Sequence, residues 1–206
     1  MKFMKEFIEN FSRQPAFSSS EARNFFSFRN GSKGYYKTAV NNLIMSGRLR
    51  RITRGHYTFH DEVQFVGFAF KPFYYGLQDA LSLRNMWEQE TNPVIITPRK
   101  VRSGLRTFEG RNYVVRWIDR SMFFGYSPLR YGDIYIPVAD PEKILIDMVY
   151  YREFLSGEVI EGLLEVIDKD LLDEYLFRLK PSLRMKVLAI LKGKGKFTGK
   201  ASDILP

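Results

Sequence analysis

Apolar residues in the first sixty positions recur with a helical period. Phe3, Phe7 and Phe11 are spaced by four, with Met4 and Ile8 beside them, which predicts an amphipathic helix over the first ten or so residues. Gln14-Pro15 breaks it. Ser18, Ser19 and Ser20 followed by Glu21 supply an N-cap and a first-turn acid for a second helix over about 19–28, whose Ala22, Phe25 and Phe26 face inward. Asn30-Gly31 makes a turn and Ser32 offers the next cap. Tyr36, Val40, Leu43 and Ile44 then fall at i, i+4, i+7 and i+8, predicting a third helix over about 32–46. Gly47 is placed to stop it with positive φ, and residues 49–52 and 56–59 flank a Thr53-Arg54-Gly55 tip, the pattern of a hairpin. Phenylalanines at helical spacing are read as core, not as base-stacking platforms.

Past residue 60 the pattern changes. Residues 61–71 alternate through Val63, Phe65 and Gly67, which reads as a strand leaving the first domain, so a boundary is placed near residue 62, with domains at 1–61 and 62–206. Residues 74–87 read as a helix, and Val94-Ile95-Ile96-Thr97 as a buried strand between Pro93 and Pro98. Residues 105–108 and 113–118 flank Glu109-Gly110-Arg111-Asn112, a hairpin, and 122–126 and 134–138 read as two more strands. Asp140-Pro141-Glu142 supplies an N-cap, a proline for the first helical position and an acid at the positive helix end, with Ile144, Leu145, Met148 and Val149 as the buried face. Helices follow at about 158–167, 171–179 and 181–191, and the basic run 192–196 reads as a solvated tail. The fold class predicted is α+β: a winged helix-turn-helix, then a mixed, mostly antiparallel sheet with C-terminal helices.

Charge sharpens this division. Residues 1–60 hold eleven Lys or Arg against three acids, while 61–206 hold twenty-one against twenty. A polyanion partner is therefore expected at the N-terminal part. The third helix presents Lys33, Lys37, Thr38, Asn41 and Tyr35 opposite its apolar stripe, with Ser32 at its start, a mixture of phosphate-binding and base-reading groups suited to the major groove of double-stranded operator DNA. Arg51, Arg54 and His56 on the hairpin extend that surface to a flanking phosphate or minor groove. A second basic segment, 99–120, has seven Lys or Arg against two acids.

The chain has no cysteine, which excludes disulfides, thiolate zinc sites and a thiol nucleophile. No apolar run approaches the roughly 20 residues of a membrane span, and Lys5, Glu6 and Glu9 interrupt the start where a signal peptide is continuously apolar, so a cytoplasmic protein without a membrane partner is expected.

Two later segments, FYYGLQDAL at 73–81 and VADPEKILIDMVYY at 138–151, resemble the AbiEi-type antitoxins, the transcriptional regulators of viral-defence and type IV toxin-antitoxin loci. The family pattern is an aromatic pair leading into an Ala-Leu helix, then strands, then an Ala-Asp-Pro-Glu-Lys helix start ending in Leu-x-Asp. Here its positions are Tyr74, Tyr75, Ala80, Leu81, Ala139, Asp140, Pro141, Glu142, Lys143 and Asp147, and the likeness extends over about 3–191. One departure stands out, because Leu83-Arg84-Asn85 occupies the place where the family often continues with a Tyr/His-Gly pair. The resemblance implies a winged helix before an antitoxin domain, repression of the chain's own operon, and a nucleotidyltransferase-like toxin as partner.

Enzyme readings fare less well. Asp140, Glu142 and Lys143 are the residue types of a metal-dependent nuclease, but they are contiguous across a helix start and capping accounts for them. His56 and His60 lie on a hairpin without an acid to orient either. No metal or cofactor is expected. A stand-alone transcription factor with a ligand-sensing or dimerising second domain, and a DNA-processing enzyme, remain the alternatives.

Overall fold

A computed structural model describes residues 3–29, 34–154 and 156–193. The chain divides into two compact units. One holds the described residues up to Lys71 together with Thr107–Arg111, and the other holds Pro72–Arg106 and the described residues from Asn112 onward.

The first unit runs α1 (Met4–Phe11), β1 (Phe17–Ser18), α2 (Ser19–Ser27), α3 (Tyr35–Met45), β2 (Arg50–Thr53) and β3 (His56–Thr58). Its core is aromatic: the fully buried Phe7 packs against Phe11, Phe17, Phe25 and Phe26 at centroid separations of 4.7, 5.6, 5.4 and 4.9 Å. Ser18 starts α2 through a complete capping box, its Oγ accepting from the Glu21 N–H at 3.2 Å while the Glu21 carboxylate accepts from the Ser18 N–H at 2.7 Å. The three strands pair antiparallel in the order β1-β3-β2, with Phe17 opposite Tyr57. β1 was not legible as a strand because it is only two residues long. The β2–β3 turn is tied to α2 by the Ser19 N–H, which donates to the Gly55 carbonyl at 2.7 Å, and Gly55 takes the positive φ of 78° that this tight tip requires.

Residues 61–71 are not a strand. Val63–Phe70 is a 3-10 helix, started by Glu62, and its buried Val63, Val66 and Ala69 recur every three residues, the period of that helix. It packs on β1, β2 and β3, which is why the first unit extends to Lys71 and not to the neighbourhood of residue 62.

The second unit runs β4 (Tyr74–Tyr75), α4 (Leu77–Leu83), β5 (Val94–Thr97), β6 (Gly104–Phe108), β7 (Arg111–Trp117), β8 (Tyr126–Tyr131), β9 (Ile134–Ala139), α5 (Pro141–Tyr151), α6 (Gly157–Val166), α7 (Lys169–Arg178) and α8 (Pro181–Leu191), except that Thr107–Arg111, the end of β6 and the turn into β7, belongs to the first unit. Its sheet order is β6-β7-β5-β4-β9-β8. The sheet is mixed, as expected. β4–β5 and β8–β9 are antiparallel, but β4 runs parallel to β9 and β5 parallel to β7, so the middle of the sheet is mixed. The helix expected over 74–87 is shorter, because Tyr74 and Tyr75 are strand and α4 ends at Leu83. Likewise residues 122–125 are not strand; a 3-10 turn at Arg120–Met122 precedes β8, which begins at Tyr126. α5 is buried continuously from Glu142 to Val149, against β9 and helices α4, α6, α7 and α8, so it is the hub of the helical layer. Among the described residues no helix is long and apolar enough to cross a membrane.

Candidate functional site

Two groups of side chains stand out, one in each unit. In the first, α3 buries Ala39, Val40 and Leu43 and leaves Lys37, Thr38 and Asn41 exposed on one face, where the 3.6-residue period aligns them. Arg51 on β2 and Arg54 at the hairpin tip are also exposed. Among the described residues Lys37, Arg51 and Arg54 enter no salt bridge, whereas Arg29 pairs with Glu6 and, within the same unit, Arg50 with Glu109 at 3.1 Å. His56 is half-buried, its Nδ1 3.4 Å from the Arg54 carbonyl oxygen. Tyr35 differs from its sequence-based role, for its ring packs edge-on against Phe26 at 5.0 Å and serves the core. The 30–31 turn, Ser32 and Lys33 lie outside the described residues, as does the 194–196 end of the basic tail.

In the second unit the residues of the two motifs converge around α5. Lys143 and Asp147, one helical turn apart and both fully buried, form an ion pair, and the Tyr74 hydroxyl donates to the other Asp147 carboxylate oxygen at 2.7 Å. The Lys143 ammonium also lies 5.5 and 5.1 Å from the ring centroids of Tyr74 and Phe124. Burial pulls the Lys143 ammonium below its ordinary value and lifts the Asp147 carboxyl above its own, each opposed by the partner's charge. Burial, reinforced by Asp147, raises the Tyr74 phenol well above the usual range. Tyr75, Ala80 and Leu81 are buried apolar packing, and Pro141 takes the first turn of α5.

Asp140 and Glu142 correct the capping explanation. Asp140 occupies the N-cap position, but its carboxylate makes no cap hydrogen bond. It accepts instead from Arg84 Nη2 at 3.1 Å, from Ser127 Oγ at 2.5 Å and from the Tyr175 hydroxyl at 3.1 Å. Arg84 further donates to the carbonyls of Ala139 at 2.7 Å and Val138 at 3.2 Å, so it clamps the end of β9 to α4. The Tyr175 phenol is pushed up to about 12, mainly by burial and then by the Asp140 charge. Glu142 is 2% exposed and accepts from the Asp168 N–H at 2.7 Å, which joins α5 to the start of α7. Thus the acid-rich helix start is a pair of tethers, Asp140 half-buried and Glu142 buried. Arg84, Ser127 and Tyr175 were missed; the departure from the family pattern at Arg84 was the available signal.

Three cationic side chains of the basic segment 99–120 have partners within the protein. Arg106 donates to the Arg102 carbonyl at 2.8 Å, Arg111 to the Asp61 carbonyl at 2.9 Å, and Arg116 pairs with the buried Glu153 at 2.9 Å.

No protein-family model matches the chain, and no curated protein matches it.

Proposed function

We propose that the chain is a DNA-binding transcriptional regulator whose first unit is a winged helix-turn-helix, with α3 as the recognition helix and the β2–β3 hairpin as the wing. The observation that carries this reading is the exposed row Lys37, Thr38 and Asn41 on α3, followed in the chain by a short antiparallel hairpin bearing Arg51 and Arg54. In such an arrangement Lys37, Arg51 and Arg54 neutralise phosphates, and Asn41 reads an adenine edge through its amide. The order of elements, with β1 closing the hairpin sheet, is what a wing needs to be held against the helices.

We further infer, from the resemblance of the two motifs to AbiEi-type antitoxins, that the protein represses its own operon and counters a nucleotidyltransferase-like toxin, and that it is not itself an enzyme. The buried Lys143–Asp147–Tyr74 set and the Asp140 tethers then serve to hold the shape of the second unit. Gel shifts on the DNA upstream of the chain's own gene test the first reading. Asn41→Ala is expected to lose about 1–3 kcal/mol on that DNA and little on random duplex. Growth rescue of cells expressing the neighbouring toxin tests the second, and no rescue by a folded, DNA-binding protein overturns it.

A further inference from the structure

The second unit contains a cleft of about 330 Å³ between the end of β7, the 3-10 turn after it, the C-terminal end of α5 and the start of α8. Its charge is one-sided. Arg152, Lys180 and Lys186 are exposed and enter no salt bridge among the described residues, while a fourth lining cation, Arg178, is paired with Glu174. Asp119 is the acid among the described lining residues, and its carboxylate is engaged by the Ser121 N–H at 2.9 Å and hydroxyl at 2.6 Å. One wall is aromatic, with the Trp117 indole 40% exposed at the cleft, and Val149 forms a buried apolar part of the lining.

A purely apolar ligand leaves Arg152 and Lys186 without a counter-charge and Lys180 with that of Asp119 alone, and a lone inorganic anion leaves the indole and the apolar lining without a partner. A molecule with a flat ring at one end and several negative charges at the other satisfies both, and the volume lies at the lower end of small-molecule sites. We propose that this cleft binds a nucleotide, with Arg152, Lys180 and Lys186 holding the phosphates and Trp117 stacking on the base. The inference is independent of the DNA-binding reading, which rests on residues of the first unit.

Calorimetric titration of the full chain with ATP, adenosine and inorganic tripolyphosphate tests it. ATP binds more tightly than either fragment. Lys180→Glu with Lys186→Glu, at exposed positions that leave the fold intact, weakens ATP at least ~10-fold. Trp117→Ala weakens ATP at least ~5-fold and leaves tripolyphosphate unchanged. The Lys37→Ala/Arg51→Ala/Arg54→Ala protein keeps the parent affinity, which separates this site from any polyanion binding by the first unit. A Trp87→Phe protein, whose remaining indole is Trp117, gives a readout that leaves the cleft untouched, and ATP quenches its fluorescence. The proposal is overturned if ATP fails to bind up to about 1 mM, if the double charge reversal leaves its affinity unchanged, if tripolyphosphate binds as tightly as ATP, or if the first-unit triple variant abolishes binding.

Discussion

Replacing Lys143 by methionine keeps most of the side-chain volume and removes the charge from a pair that is fully buried on both sides. Asp147 is then left as a buried carboxylate with the Tyr74 hydroxyl alone of its two observed partners. An uncompensated buried charge of this kind costs about 3–5 kcal/mol. Removing all three polar groups is different, because no orphan remains. Lys143→Met with Asp147→Leu and Tyr74→Phe is expected to lie within about 2 kcal/mol of the parent, the residual cost being the repacking around leucine. Both tryptophans, Trp87 and Trp117, belong to the second unit, so their fluorescence during urea unfolding reports the unit that carries the pair. With a slope of about 2 kcal/mol per molar urea, the single variant moves the midpoint down by about 2 M and the triple variant restores most of it. A single variant that costs under ~1 kcal/mol, or a triple variant as unstable as the single, refutes the assignment of these groups as a dry, mutually dependent set.

Gly125 has φ +72°, and a Cβ there meets Tyr175 Cε2 at 2.8 Å and Lys143 Cβ at 3.0 Å, so Gly125→Ala is expected to lower stability by at least ~2 kcal/mol, read by thermal melting. Ser18→Ala removes half of the capping box and is expected to cost the first unit about 1 kcal/mol in urea unfolding, with Ser18→Asp retaining most of the stability. The Tyr175 phenol has a folded value raised to about 12, so its contribution to stability is fully present below the unfolded value near 10 and is lost as pH rises toward 12. In an alkaline absorbance titration, the difference between parent and Tyr175→Phe should be an ionisation centred near 12, and one centred at 10 contradicts the burial of this phenol against the Asp140 carboxylate.

Helix starts were legible wherever one residue type performs one local task. Ser18 with Glu21, Pro141 and Pro181 each mark a helix whose first turn lies where the chain predicts it, and Gly55 marks the hairpin tip. Interactions set by long-range neighbours were not legible. Nothing local to Tyr75 reveals that it sits beside both Ile95 and Val138, which is what makes the middle of the sheet mixed. A period of three read across Val63, Val66 and Ala69 passes for weak alternation when only a few residues are available. Asp140 satisfies the composition rule for a cap, yet Arg84, Ser127 and Tyr175, at sequence distances of 56, 13 and 35, take its carboxylate. The exposure of Lys37, Thr38 and Asn41 was legible because an apolar stripe fixes the opposite face by geometry alone, while Tyr35 at the helix start was drawn into the phenylalanine core.

The exposed cations of the first unit carry the proposed DNA binding, and the salt dependence of that binding measures them. With three phosphate contacts removed, the Lys37→Ala/Arg51→Ala/Arg54→Ala protein should show a plot of log affinity against log salt that is shallower by about 3, together with weaker binding to every duplex tested. An unchanged slope and affinity in this variant, with its fold intact by circular dichroism, contradicts the assignment of α3 and the β2–β3 hairpin as the DNA-binding surface.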